Sequence, residues 1–145
     1  MDVIVFAGTT LDEIKNHAND EYPLECCGIL IGKTEGKNLI VCHIKKTSNS
    51  ANKSSMGNEF RINPYEVYQL ERDLEKKGSE VLGFYHSHPD YDALLSDRDE
   101  RYMIPGMVYP VVAIKKMDPL DRSISVRVYM KNAEGWVEEK EFVCR

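Results

Sequence analysis

The chain opens on a short apolar run, Met1–Phe6, which reads as a strand. The spacing then lengthens. Leu11, Ile14 and His17 or Ala18 recur three or four positions apart, the period of a helix with one covered face. Thr10-Leu11-Asp12-Glu13 has the form of a capping box at its start. Tyr22-Pro23 sets its end, because a residue before proline disfavours helical backbone. Cys27–Gly32 is apolar throughout and bounded by glycine, so it reads as a buried strand, with Asn38–Lys46 its partner across a hairpin at Glu35-Gly36.

The middle of the chain is polar. Thr47–Asn58 is rich in Ser, Asn, Lys and Gly and reads as a flexible loop, followed by a short strand at Glu59–Ile62. Pro64 suits the first turn of a second helix, Val67, Leu70 and Leu74 mark its apolar face, and Gly78 ends it. Val81–His88 is a strongly apolar strand that runs into two histidines. A loop at Pro89–Leu95 and a short helix from Ser96 to about Met103 follow. Tyr109–Ile114, Ser123–Tyr129 and Trp136–Val143 read as three more strands, turned at Asp118-Pro119 and at Asn132-Ala133-Glu134-Gly135. The sum is an α/β chain with a mixed central sheet flanked by helices.

Length adds that residues 1–145 fit one domain of ordinary size. A hydrophobic share of 42% is enough for a core and argues against global disorder. A formal charge of -5 argues against nucleic acid as a partner, since that needs a broad basic surface. A small basic groove for an acidic protein tail is still compatible with it. No run reaches 18 apolar residues and the first residues lack a signal-peptide head, so the expected location is cytoplasmic, with no membrane contact. Cys26, Cys27, Cys42 and Cys144 contain no C-x-x-C spacing, which speaks against a cysteine-type zinc site. They read as reduced, partly buried small hydrophobes.

The chemistry concentrates in one stretch. His86-Ser87-His88-Pro89 is followed, after six residues, by Ser96-Asp97-Arg98-Asp99. Residues two apart on a strand share a face, with Cα atoms about 6.6 Å apart, so the two imidazoles can converge on one ion. Pro89 ends the strand, and the chain can turn back to present Asp99. Two histidines, one carboxylate and an open fourth position make a catalytic rather than a closed zinc site. A lone H-x-H also arises by chance on strands, and Ser96-x-x-Asp99 is equally a helix cap. The cap and the ligand readings are compatible, because a cap fixes the helix start. An apolar strand delivering two imidazoles also calls for partners that an ion would supply.

These strings resemble the JAMM, or MPN-plus, metalloprotease family. Its signature is a distant glutamate, H-[ST]-H-P, a spacer and S-x-x-D, met here by Glu25, His86-Ser87-His88-Pro89, Ser96 and Asp99. Tyr22-Pro23-Leu24-Glu25-Cys26-Cys27-Gly28 is similar to the small prokaryotic branch, and the likeness covers nearly the whole chain. It implies a cytidine-deaminase-like α/β fold and a Zn2+ ion on His86, His88 and Asp99. It makes Glu25 the residue that handles the proton of the attacking water, and gives Ser96 the developing oxyanion. It implies peptidase or isopeptidase action on a ubiquitin-like or sulfur-carrier protein with a Gly-Gly tail. Leu95 departs from the proline that many small relatives carry before the serine. The short Pro89–Ser96 spacer implies that the large substrate-clamping loop of ubiquitin-specific members is absent. Thr47–Asn58 is a candidate flap over the tail.

Three rival readings stand beside this one. A non-catalytic MPN-type scaffold would have lost ligands, whereas every ligand position is filled here. A nucleoside deaminase would carry H-x-E and P-C-x-x-C, and neither string occurs. A thiol enzyme would use Cys26 or Cys27. Ser87 points away from the histidines and reads as structural, His17 and His43 as ordinary polar residues, and Asp90, Asp92 and Asp97 as solvated. The natural carrier is not written in the chain, and a homodimer is left open.

Overall fold

Eleven elements follow one another in the computed structural model, which describes residues 3–48, 62–117 and 121–145. They are β1 Val3–Phe6, α1 Thr10–Glu21, β2 Cys27–Glu35, β3 Asn38–Thr47, α2 Pro64–Glu75 and β4 Glu80–Pro89. Then come α3 Asp97–Arg101, β5 Val108–Lys116, β6 Arg122–Lys131, β7 Val137–Lys140 and β8 Phe142–Cys144. The strands form one mixed sheet in the order β7-β6-β5-β4-β2-β3-β1-β8. The α/β class with a mixed sheet flanked by helices is therefore as expected. Residues 49–58 of the polar loop, 59–61 of the short strand and the Asp118-Pro119 turn lie outside the described residues.

The last strand departs from expectation. Trp136–Val143 is not one strand but two, because β7 pairs with β6 while β8 pairs in parallel with β1. These partners stand at opposite ends of the sheet order. Only Glu141 separates β7 from β8, so the two ends come within about 7 Å of each other. The sheet is thus curled, and α1 lies in the curl. Leu11, Ile14 and Ala18 pack there with Ile4, Phe6, Leu30, Val41, Val112 and Val128 in the main core.

Capping also differs at α1. The helix starts at Thr10 with Thr9 as its N-cap, and no side chain bonds the first turn's backbone. Thr10 instead donates its hydroxyl to the Ala7 carbonyl (2.9 Å), and Thr9 bonds the Glu13 carboxylate (3.1 Å). α2 starts as expected, with Pro64 in the first turn and Asn63 accepting from the Tyr65 N–H. Its Leu74, Leu70 and Val67 cover Ile29, Ile31 and Val81 on the sheet face away from α1.

An irregularity in β4 decides what faces where. The β2–β4 register shifts between Leu30 and Ile31, which passes over Leu82. As a result Leu82 and Tyr85 both reach the α1 core, while Val81 and Phe84 pack on the other face. Alternation from Phe84 then sends His86 and His88 to that second face and Tyr85 and Ser87 to the first. Gly28 is needed opposite Tyr85, since a Cβ there would lie 2.2 Å from the phenol ring. Among the described residues no helix is long and apolar enough to cross a membrane.

Candidate metal centre and its cleft

His86 and His88 stand near the C-terminal end of β4, both almost wholly buried. Asp99 comes to them from α3. The helix is five residues long, and a complete capping box fixes its start. Asp99 N–H donates to Ser96 Oγ (3.0 Å), and Ser96 N–H donates to Asp99 Oδ2 (3.1 Å). The cap reading of Ser96-x-x-Asp99 is therefore borne out, and it leaves the same carboxylate within reach of the two histidines. α3 itself is shorter than the Ser96–Met103 span read from the sequence.

Three candidate ligand atoms meet at one point. His86 Nε2 and His88 Nε2 are 3.1 Å apart, and each lies 3.3 Å from Asp99 Oδ2. A tetrahedral zinc ion with bonds of about 2.0–2.1 Å has ligand–ligand edges of about 3.3 Å. The donor set matches that size. Its chemistry matches as well. His88 Nδ1 lies 2.8 Å from the Asp92 carbonyl, which can only accept, so Nδ1 carries the hydrogen and the neutral ring turns the lone pair of Nε2 inward. Two imidazole nitrogens and a carboxylate oxygen are the atoms that would hold a small divalent cation.

The local electrostatics agree. Burial works to raise the Asp99 carboxyl, but hydrogen bonds with His86 and His88 outweigh it and hold the group well below the usual carboxylate range. Burial pushes the His86 imidazolium down. It opposes the charged form of His88 too, where Asp99 and the Asp92 carbonyl prevail and raise it.

Glu25 reaches the same cleft from the loop between α1 and β2, and it is buried. Ser87, on the opposite face from the histidines, explains how that loop is held. Its Oγ accepts from Cys26 N–H (2.8 Å), and its own N–H donates to the Cys26 carbonyl (3.0 Å). The structural reading of Ser87 is borne out. Two cysteines follow Glu25 without offering a nucleophile. Burial pushes the Cys26 thiol up to about 12, and Cys27 is buried with Sγ 3.3 Å from Thr47 Oγ1. The thiol reading loses its reactive group.

The cleft has a volume of ≈ 630 Å³. Glu25, His86, His88, Ser96 and Asp99 line it together with apolar and aromatic side chains, Val67, Phe84, Met103, Ile104 and Tyr109 among them. Ser96 is exposed beside the three donors, and its bond from Asp99 N–H leaves its own hydrogen for the cleft. Sequence reasoning passed over Tyr91, whose hydroxyl donates to Glu25 Oε1 (2.8 Å) and whose ring stacks on His88 at 4.6 Å. The only signal was an aromatic residue inside the spacer of the motif. His17 lies elsewhere, hydrogen-bonded to Tyr85 in the α1 core. Asp90, Asp92 and Asp97 are exposed and stand outside the donor cluster.

Residues 9–127 match the family described as prokaryotic homologs of the JAB domain. A protein of Haloferax volcanii named desampylase is 33% identical over 108 residues, covering 71% of this chain and 75% of its own length. COP9 signalosome complex subunit 5a of Arabidopsis thaliana is 33% identical over 88 residues, covering 57% of this chain. The match spans only 24% of that longer relative. A solution structure of a protein from Desulfitobacterium hafniense superimposes with a TM-score of 0.77 at 26% identity, over 99% of this chain and 93% of the other.

Proposed function

Because the chain belongs to the JAB, or JAMM, family and is a metallopeptidase of that type, we propose that it cuts an amide bond at the glycine-terminated tail of a ubiquitin-like or sulfur-carrier protein. The metal is zinc, held by His86, His88 and Asp99, and the catalytic residues are Glu25 and Ser96. The observation that carries this reading is the convergence of three ligand atoms within 3.3 Å beside the Glu25 carboxylate, in one cleft. The name of the Haloferax relative supports a protein-modifier substrate. The whole of residues 1–145 is taken as one such domain, working in the cytoplasm.

When bound, the ion supplies a Lewis acid for the scissile carbonyl and brings the pKa of the attacking water from about 15.7 to about 7. The protein's own residues do the rest. Glu25 takes a proton from the attacking water and delivers it to the leaving amine, help that is typically worth about 10² to 10⁴ in rate. Ser96 Oγ–H donates to the oxyanion as it develops, a contribution of about 3 kcal/mol. The apolar lining of the cleft keeps bulk water away and gives the tail a surface to lie on.

The test uses zinc-loaded enzyme and a sulfur-carrier protein whose Gly-Gly end is extended by a short peptide. Mass spectrometry should show loss of the extension. Glu25→Gln should keep one zinc per chain and lose about 10² to 10⁴ in turnover. Equal cleavage by wild type and Glu25→Gln would remove Glu25 from the mechanism.

A further inference from the structure

We propose that Tyr91 is the positioning residue that aims the Glu25 carboxylate, by bridging the His88 ring to Glu25 Oε1. The inference rests on the peptidase reading and adds a residue that the motif does not contain. Tyr91 and Glu25 are 66 positions apart in the chain, yet the phenol donates to the carboxylate at 2.8 Å. The same ring lies nearly parallel to His88, with centroids 4.6 Å apart and planes at 26°. One side chain thus touches both a ligand candidate and the proton carrier.

Its own position is set from outside the cleft, through both neighbours. Asp90 N–H donates to the Ile114 carbonyl (2.7 Å), and Asp90 Oδ1 accepts from Lys116 N–H (2.9 Å). The Tyr22 hydroxyl lies 2.8 and 2.7 Å from the two Asp90 carboxylate oxygens. On the other side the Asp92 carbonyl meets His88 Nδ1, and the Asp92 carboxylate pairs with Lys115. Tyr22–Asp90 and Tyr91–Glu25 are therefore two rungs between the same two loops. The terminal torsion of a glutamate is broad and nearly two-fold, so packing alone fixes its plane poorly. A directed bond to Oε1 selects one plane for the carboxylate. Aiming of this kind acts on the rate of the bound complex more than on binding.

Tyr91→Phe separates the bridge from the ring, since it keeps the stack on His88 and loses the donor. With zinc enzyme and the extended carrier, kcat should fall about tenfold while KM and zinc content hold. A second measurement needs no turnover. In metal-free protein, the melting-temperature shifts of Tyr91→Phe and Glu25→Ala should sum to more than the shift of the double variant, because either change alone removes the one bond. Additive shifts, or a kcat equal to wild type, overturn the proposal. So does a parallel loss of zinc, which would make Tyr91 a support for His88 instead. A wild type that never turns over sinks the peptidase reading and this role with it, whereas an active wild type matched by Tyr91→Phe sinks the role alone.

Discussion

Two buried histidine environments lie back to back across β4, and they differ in what they ask of their surroundings. On the α1 side, His17 is 5% exposed and is hydrogen-bonded through Nδ1 to the Tyr85 hydroxyl at 2.7 Å. That is a closed pair of neutral partners, wrapped by the main core. On the other side, His86 and His88 turn their Nε2 atoms to a single point shared with Asp99. The first arrangement is one hydrogen-bonded pair, with only the half-exposed Glu21 carboxylate 4.0 Å from the other ring nitrogen. The second brings three electron-pair donors to one place, beside a cavity and a further carboxylate. Burial of a histidine says little about chemistry. Convergence of several with a carboxylate says much more.

The sharpest way to break the comparison is to remove a donor from the open side. His88→Ala should take bound zinc from one per chain to near zero by elemental analysis, and abolish turnover with it, while the α1 core stays folded. A chain that kept full zinc would detach His88 from the metal centre. On the closed side, Tyr85→Phe deletes the partner of His17 inside an apolar core. Urea unfolding should show a loss of about 1–3 kcal/mol, with zinc content unchanged. A loss of metal there would mean that the two sides are not separate.

The smallest effect sharpens the contrast by pH. Burial pushes the His17 imidazolium down from 6.5, Lys46 works in the same sense, and Glu21 and Asp20 oppose. The folded protein thus holds this proton less tightly than the unfolded chain does. The stability that comes from keeping His17 neutral is complete above about pH 6.5 and is lost as pH falls through the lowered folded value. Wild type minus His17→Gln, compared by urea unfolding in metal-free protein, should show a slope below pH 6.5 of at most about 1.4 kcal/mol per pH unit. A flat difference would place His17 in water.

Much of this was readable in the chain, for physical reasons that vary by region. Cys27–Gly32, the buried part of β2, announces itself because burial on both faces leaves an unbroken apolar run. The convergence of His86 and His88 was readable because two histidines at spacing two must share a face, and that constraint is local. The division at Glu141 was hidden, since Val137–Val143 keeps a strand-like pattern while its halves choose different neighbours. Thr10 misled because its hydroxyl had a competing acceptor in the Ala7 carbonyl. Tyr91 was invisible for the deepest reason. Its partner Glu25 lies far off in sequence, and only the register of β4 against β2 brings the two loops together. Asp90 reads correctly as exposed, but exposure conceals its bonds to Tyr22 and Lys116.

The single residue between β7 and β8 also bears on how the chain is made. Ile4 must pair with Phe142, so a strand synthesised before every other described element waits with one flank bare until almost all of them have been translated. Contacts of that span slow folding and leave an uncovered ribbon exposed to sticky neighbours in the meantime. The final clasp is only three residues long, Phe142–Cys144, so premature termination just ahead of it would release a nascent protein whose site residues are all present but whose first strand has never been sealed.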